Sequence, residues 1–173
     1  MNFYKSFLFV FLVLFISGCS KTISLESVET VRVEVVGNVT QFDFENVEYE
    51  SINVNDILKD DDLKAKYSFI MIDDDYFETV STLQYVERFE ALQMPILFVD
   101  TIKGHLPFMR ETTQKIFKKK IYSEYIETDK STVMLRYPLP AIADGLFYWY
   151  DKDQETLSIQ DFEYIVKFIY GEH

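Results

Sequence analysis

Thiols are almost missing from this chain: its 173 residues contain one cysteine, Cys19. Histidine is nearly as scarce, with only His105 and the terminal His173. A zinc site built from Cys and His ligands lacks its donors, and one cysteine cannot form an internal disulfide framework. A Ser-His-Asp arrangement would have to rely on His105, and no Gly-x-Ser-x-Gly turn is present. The five glycines are all isolated, so no Gly-rich loop can cradle phosphates. Positive charge is short as well: 17 Lys and Arg stand against 29 Asp and Glu, a net charge of −12. Phosphate backbones are bound through basic patches, so nucleic acid is excluded as a partner. The same imbalance disfavours a domain lying flat on anionic lipid.

What is present begins at the N-terminus. Lys5 is followed by the apolar run Phe7 to Ile16, then by Ser17, Gly18 and Cys19. The run is about half of the roughly 20 residues a membrane-spanning helix needs. The three parts read as an export signal with a small-residue cleavage site. Ile16-Ser17-Gly18-Cys19 resembles the lipobox of bacterial lipoproteins, over residues 1–20 only. The resemblance implies a diacylglyceryl group on the Cys19 sulfur, cleavage before Cys19, and a further acyl chain such as palmitate. Two or three acyl chains hold a protein on a bilayer firmly, at about 0.8 kcal/mol per buried CH₂. The alternative is an ordinary secretory signal with an incidental cysteine. The expected organisation is a cleaved signal peptide over 1–18, a lipidated N-terminus and tether over 19–30, and one globular domain over 31–173. The location is then the extracytoplasmic side of a cell membrane, with outer-membrane sorting open if the envelope has two membranes. Loss of residues 1–18 removes Lys5 alone among charged residues, leaving 155 residues at a net charge of −13. That length suits a single domain with a sizeable core. An extended tether of ten residues reaches about 35 Å.

Along the mature chain, Val31 to Val36 is β-branched and ends at Gly37-Asn38, a strand signal. Val47 to Val54 predicts a second strand, and Asp56 to Lys66 a short helix capped by Asn55. Tyr67 to Ile72 and Ile96 to Val99 are nearly continuous apolar runs, the mark of strands covered on both faces. Between them a helix is expected over Glu78 to Gln93, with Tyr85, Val86, Phe89 and Leu92 as its apolar stripe. Pro107 opens a further expected helix to about Ile126, carrying Lys118-Lys119-Lys120 as a solvated face. Strands follow at Thr132 to Leu135, stopped by Pro138 and Pro140, and at Leu146 to Tyr150. Ser158 is a good N-cap for a last helix, with Asp161 three residues on, Leu157 and Phe162 as a hydrophobic staple, and Gly171 to end it. Strand–helix–strand alternation points to an α/β fold, a single-domain three-layer sandwich with a mixed, largely parallel sheet; an α+β meander is the alternative.

Two constellations carry candidate chemistry. Asp73-Asp74-Asp75 and Asp100 follow the two buried-type strands. If those strands are parallel neighbours, the carboxylates of Asp73, Asp74 and Asp100 meet at the edge where open α/β sheets bind ligands. Oxygen donors there suit Mg²⁺ or Ca²⁺. In placement this resembles the acidic pockets of response-regulator receiver domains and haloacid-dehalogenase-like phosphatases. The phosphatase pattern of two aspartates separated by one residue is absent, and Arg136 stands where those families use lysine. Aspartates also end strands for backbone reasons alone. Asp60-Asp61-Asp62 lacks the spacing of a calcium loop and reads as a solvated helix face. The second constellation is Tyr148-Trp149-Tyr150, behind Phe147, which can stack on a sugar or a partner or simply fill a half-buried strand. The expected function is a non-catalytic binding or interaction domain, with no required cofactor. The membrane is its partner through Cys19, beside an envelope protein or a small ligand. One alternative is a divalent-cation-dependent, hydrolase-like site at the acidic strand ends. The other is a small solute-binding lobe, since Tyr67 to Thr101 resembles one strand–helix–strand unit of exported binding proteins; 155 residues are too few for their two lobes.

Overall fold

Valine at four of six positions makes Val31–Val36 (β1) an interior strand: Val31, Val33 and Val35 give one face wholly to the core, while Arg32, Glu34 and Val36 share the other. β1 pairs in parallel with Val47–Ser51 (β2) on one side and with Phe69–Ile72 (β3) on the other. β3 pairs in parallel with Ile96–Thr101 (β4), as the two apolar runs predict. Thr132–Leu139 (β5) then adds antiparallel to β4, and Ile142–Asp151 (β6) antiparallel to β5. The sheet order is β2-β1-β3-β4-β5-β6. This is the mixed, largely parallel sheet expected of an α/β domain, seen in a computed structural model that describes residues 29–101, 103–109, 122–125, 127, 132–139, 142–151 and 157–171.

Each face of the sheet is covered. On one, Val31, Val33, Val35, Phe69, Met71, Leu97, Val133 and Leu135 pack under the C-terminal helix Ile159–Ile169 (α5), through Phe162, Ile165 and Val166. Phe162 sits at the centre, with ring centroids 5.1 Å from Phe42 and 5.7 Å from Phe44. On the other face, Val36, Ile70, Ile72, Ile96, Phe98 and Met134 meet the helices of the β2–β3 and β3–β4 connections. These helices are Asp56–Lys59 (α1), Leu63–Lys66 (α2), Phe77–Val80 (α3) and Leu83–Leu92 (α4). No described helix is long and apolar enough to cross a membrane.

The capping chemistry of α5 follows the sequence closely. Ser158 Oγ accepts the Asp161 N–H at 3.1 Å, Leu157 and Phe162 share the core, and Gly171 adopts φ 75 after the last turn.

Elsewhere the backbone departs from expectation where polar side chains compete for it. The expected helix over 56–66 is two single turns, because Asp60 is extended and its Oδ1 accepts the Asp62 N–H at 2.9 Å. The expected helix over 78–93 breaks at Ser81 and Thr82, whose hydroxyls donate to the carbonyls of Glu78 and Thr79. Gln93, left-handed at φ 49, ends α4. β5 runs through Pro138 instead of stopping there. The β4 pairing ends at Arg136, and the β5–β6 register shifts between Tyr137 and Leu139, so the missing N–H is tolerated. Of the expected helix from Pro107, the described parts are the 3₁₀ turns Leu106–Phe108 and Tyr122–Glu124. Residues 110–121, with the three lysines, lie outside the described residues.

Candidate functional site

At the carboxyl edge, β3 and β4 do lie side by side and parallel. Asp73 leaves β3 beneath the turn that follows β1. Its Oδ2 accepts the Asn38 N–H at 2.6 Å. Gly37, at φ 93, permits the approach, since any Cβ there would collide with Asp73. Asp73 and Asp74 are hydrogen-bonded to each other. Burial raises Asp73, but bonds from the Asp74 side chain and from the N–H groups of Asn38, Asp75 and Asp74 outweigh it and hold Asp73 below the usual range. The same Asp73 bond, with burial and the charges of Asp73 and Asp75, pushes Asp74 up to about 6. Below about pH 6 the pair shares a carboxyl–carboxylate hydrogen bond, and the Asn38–Asp73 bond ties the turn after β1 to the end of β3. Asp100, left-handed at φ 67, lies where the β4–β5 register shifts. Among the described residues no group of three His, Cys, Asp or Glu side chains stands close enough to hold a metal ion. The structure thus joins Asp73 to Asp74 and does not gather Asp100 with them into such a group.

The aromatic stretch on β6 divides by strand alternation. Tyr148 turns toward α5, where its ring meets Phe168 edge-on at 4.7 Å. Phe147 turns the other way and packs with the helical core. The side chains of Trp149 and Tyr150 lie outside the described residues, and so does Cys19.

A different part of the molecule holds an open site. β1 and β2 are the outer pair of the sheet, and their register sets Arg32 beside Glu48 and Glu34 beside Glu50. On the helix-covered face these side chains form the floor of a cleft of about 720 Å³. α1 and the segment Asp60 to Tyr67 make its far wall, contributing Asp56, Lys59, Asp60, Lys66 and Tyr67, with Ile52 as an apolar patch. Arg88 on α4 fixes that wall. Its Nε donates to the Ile57 carbonyl at 2.8 Å and its Nη2 to the Asp60 carbonyl at 2.6 Å, while Nη1 pairs with Asp61 at 3.1 Å. A smaller hollow past Glu29, Thr30, Ser68 and Tyr170 adjoins the cleft and shares Arg32, Lys66 and Tyr67 with it.

Most charges in the cleft have partners. Arg32 Nε meets Glu48 at 3.2 Å, and Lys66 Nζ meets Asp60 Oδ2 at 2.6 Å. The Lys66 bond lowers Asp60 below its ordinary value, and the Asp60 bond raises Lys66. Burial and a hydrogen bond with Glu50 push the Tyr67 hydroxyl up to about 12. Glu34 stands apart. It is fully buried, at 0% exposure, and neither carboxylate oxygen finds a hydrogen-bond partner among the described residues. Burial raises it to about 7, with the charges of Asp60, Glu50 and Asp56 adding to the effect and Lys66 opposing it.

Sequence reasoning passed over Glu34. The available signal was a lone acid among four valines in a strand that pairs on both sides. It also took Asp60-Asp61-Asp62 for a solvated helix face. Asp61 and Asp62 are exposed as expected but lie in a turn, Asp60 ends α1 on the cleft wall, and Asp61 pairs with Arg88. No protein-family model, curated protein or solved structure matches this chain.

Proposed function

We propose that the mature chain is a lipid-anchored extracytoplasmic domain that captures a small ligand in the Glu34 cleft without transforming it. The anchoring half of this reading rests on Ile16-Ser17-Gly18-Cys19 and the apolar run before it. The binding half rests on one observation: a fully buried carboxylate without a donor among the described residues, lining a cleft of ligand size. Burying an ionisable group without a partner is costly, whereas a ligand that supplies donors converts the same group into an anchor point. Pockets of roughly 300–1,000 Å³ accommodate organic molecules. The adjoining hollow reaches Glu29 and Thr30, so the cleft lies close to where the tether enters β1.

The test is ligand-detected NMR with a chemically diverse set of small molecules, on the protein and on Ile52→Trp, which fills the apolar patch of the cleft. Saturable binders that are lost in Ile52→Trp support the reading. A set with no saturable binder, or binders indifferent to Ile52→Trp, refutes it.

A second reading draws on Glu34 at about 7 beside neighbouring carboxylates. A carboxylic acid held protonated near neutrality, next to ionised ones, is the arrangement general acid catalysis uses. Turnover of a glycoside or ester that disappears in Glu34→Gln would establish it in place of simple capture.

A further inference from the structure

We infer that the ligand of the Glu34 cleft is an organic cation carrying a primary ammonium group, whose binding turns the enclosed Glu34 carboxylate toward it. The inference rests on the binding reading above and names its chemistry.

An ionised carboxylate has about four acceptor sites, and here both oxygens are buried and no described residue fills any of those sites. A neutral hydroxyl or amide would fill some sites yet leave the charge uncompensated. The surroundings decide between the two. Asp60, Glu50 and Asp56 all act on Glu34 as like charges, and Lys66, the cation that opposes them, is committed to Asp60 at 2.6 Å. An ammonium ion supplies three donors and one positive charge at once. It therefore answers both the missing hydrogen bonds and the local excess of negative charge.

The rest of the cleft indicates an organic body behind the ammonium. Its volume, about 720 Å³, far exceeds what one ion fills. Ile52 provides apolar surface, and the half-buried Tyr67 adds an aromatic side chain to the wall. No group of described carboxylates is arranged for a metal ion. Glu87 on α4 gives a built-in control: it carries the same charge as Glu34, but it is exposed and lies outside the cleft lining.

The experiment uses the full chain purified from membranes in neutral detergent, with 1,5-diaminopentane as probe at pH 8 and low salt, read by calorimetry. 1,5-Pentanediol serves as the neutral isostere. The expected result is saturable binding of the diamine at one site and none of the diol. Glu34→Gln is expected to weaken diamine binding about tenfold or more, the loss of a charge-assisted hydrogen bond. Glu87→Gln should weaken it less than about threefold, as for a screened surface charge. Equal loss in the two variants would reduce the attraction to general surface charge and overturn the inference. Cleft-dependent binding of the diol, or of neutral molecules alone in the NMR set, would overturn the ammonium assignment while leaving the cleft as a binding site. Binding that ignores Ile52→Trp as well as Glu34→Gln would overturn both.

Discussion

Replacing Glu34 with Gln removes one ionisation and almost no volume, so its consequences can be worked from the structure. In the unfolded chain this carboxyl ionises near 4.5; in the folded domain it does so at about 7. The native state thus holds the proton over a range where the unfolded state has lost it. Stability falls as pH rises between the two values and levels off above the higher one. A tenfold difference in proton affinity between the two states corresponds to about 1.4 kcal/mol. Against a permanently neutral side chain, Glu34 weakens the fold by roughly 1 kcal/mol at pH 5.5 and by roughly 3 kcal/mol at pH 8.5. The measurement is urea unfolding of residues 20–173, wild type against Glu34→Gln, across that interval. The window stays above the isoelectric point of about 4.6, where solubility would fail. With no ligand present, Glu34→Gln should gain about 2 kcal/mol on wild type between the two ends. Carboxylates that do not sense the Glu34 charge titrate alike in both proteins and cancel. A difference that stays flat with pH would show that Glu34 is paired or hydrated, and the cleft would then hold no unmet demand for a donor.

Three further expectations concern the anchor, the core and the cleft wall. Cys19→Ser should move the protein from the membrane fraction to the soluble one or stall it as precursor, followed by fractionation and metabolic labelling with palmitate; continued labelling would refute the lipobox reading. Phe162→Ala removes a wholly buried ring lying against Phe42, Phe44, Tyr49 and Phe69. It should cost about 3–5 kcal/mol in denaturant unfolding; a loss under about 1 kcal/mol would mean that α5 is not central to the fold. Arg88→Ala leaves the carbonyls of Ile57 and Asp60 without their donors. The expected cost is about 2–3 kcal/mol, together with weaker diamine binding because the wall carrying Asp56 and Asp60 is released. Unchanged binding would remove Arg88 from the description of the site.

How far the fold was legible depended on the kind of signal. Phe69 to Ile72 and Ile96 to Val99 are apolar without interruption, which only a strand covered on both sides tolerates, so their parallel pairing followed. Ser158, Asp161 and Gly171 gave α5 its ends because capping is local chemistry. The interrupted helices were not legible. Asp60, Ser81 and Thr82 are compatible with a helical turn by composition, and only their hydrogen bonds to nearby backbone break it. The cleft was illegible for a different reason. It requires the register that sets Glu34 beside Glu50 and the return of residues 56–67 over the same face. Neither is written in any window of the sequence.

Asp73 and Glu34 show why the two acidic regions differ in meaning. Both are carboxylates attached to parallel strands of one sheet. Asp73 accepts the Asn38 N–H, hydrogen-bonds with Asp74 and lies against a glycine that makes room for it. The hydrogen bonds around it stabilise the ionised form, so a ligand would have to break bonds already made. Glu34 has no donor, and its carboxylate neighbours outweigh the lysine that opposes them; its surroundings disfavour the ionised form until a cation arrives. The rule that ligands gather at the carboxyl ends of parallel strands concerns backbone direction. Here the β1–β3 part of that edge is bridged by Asp73, and the unmet demand for donors lies at the outer strand pair, on the face covered by α1 to α4.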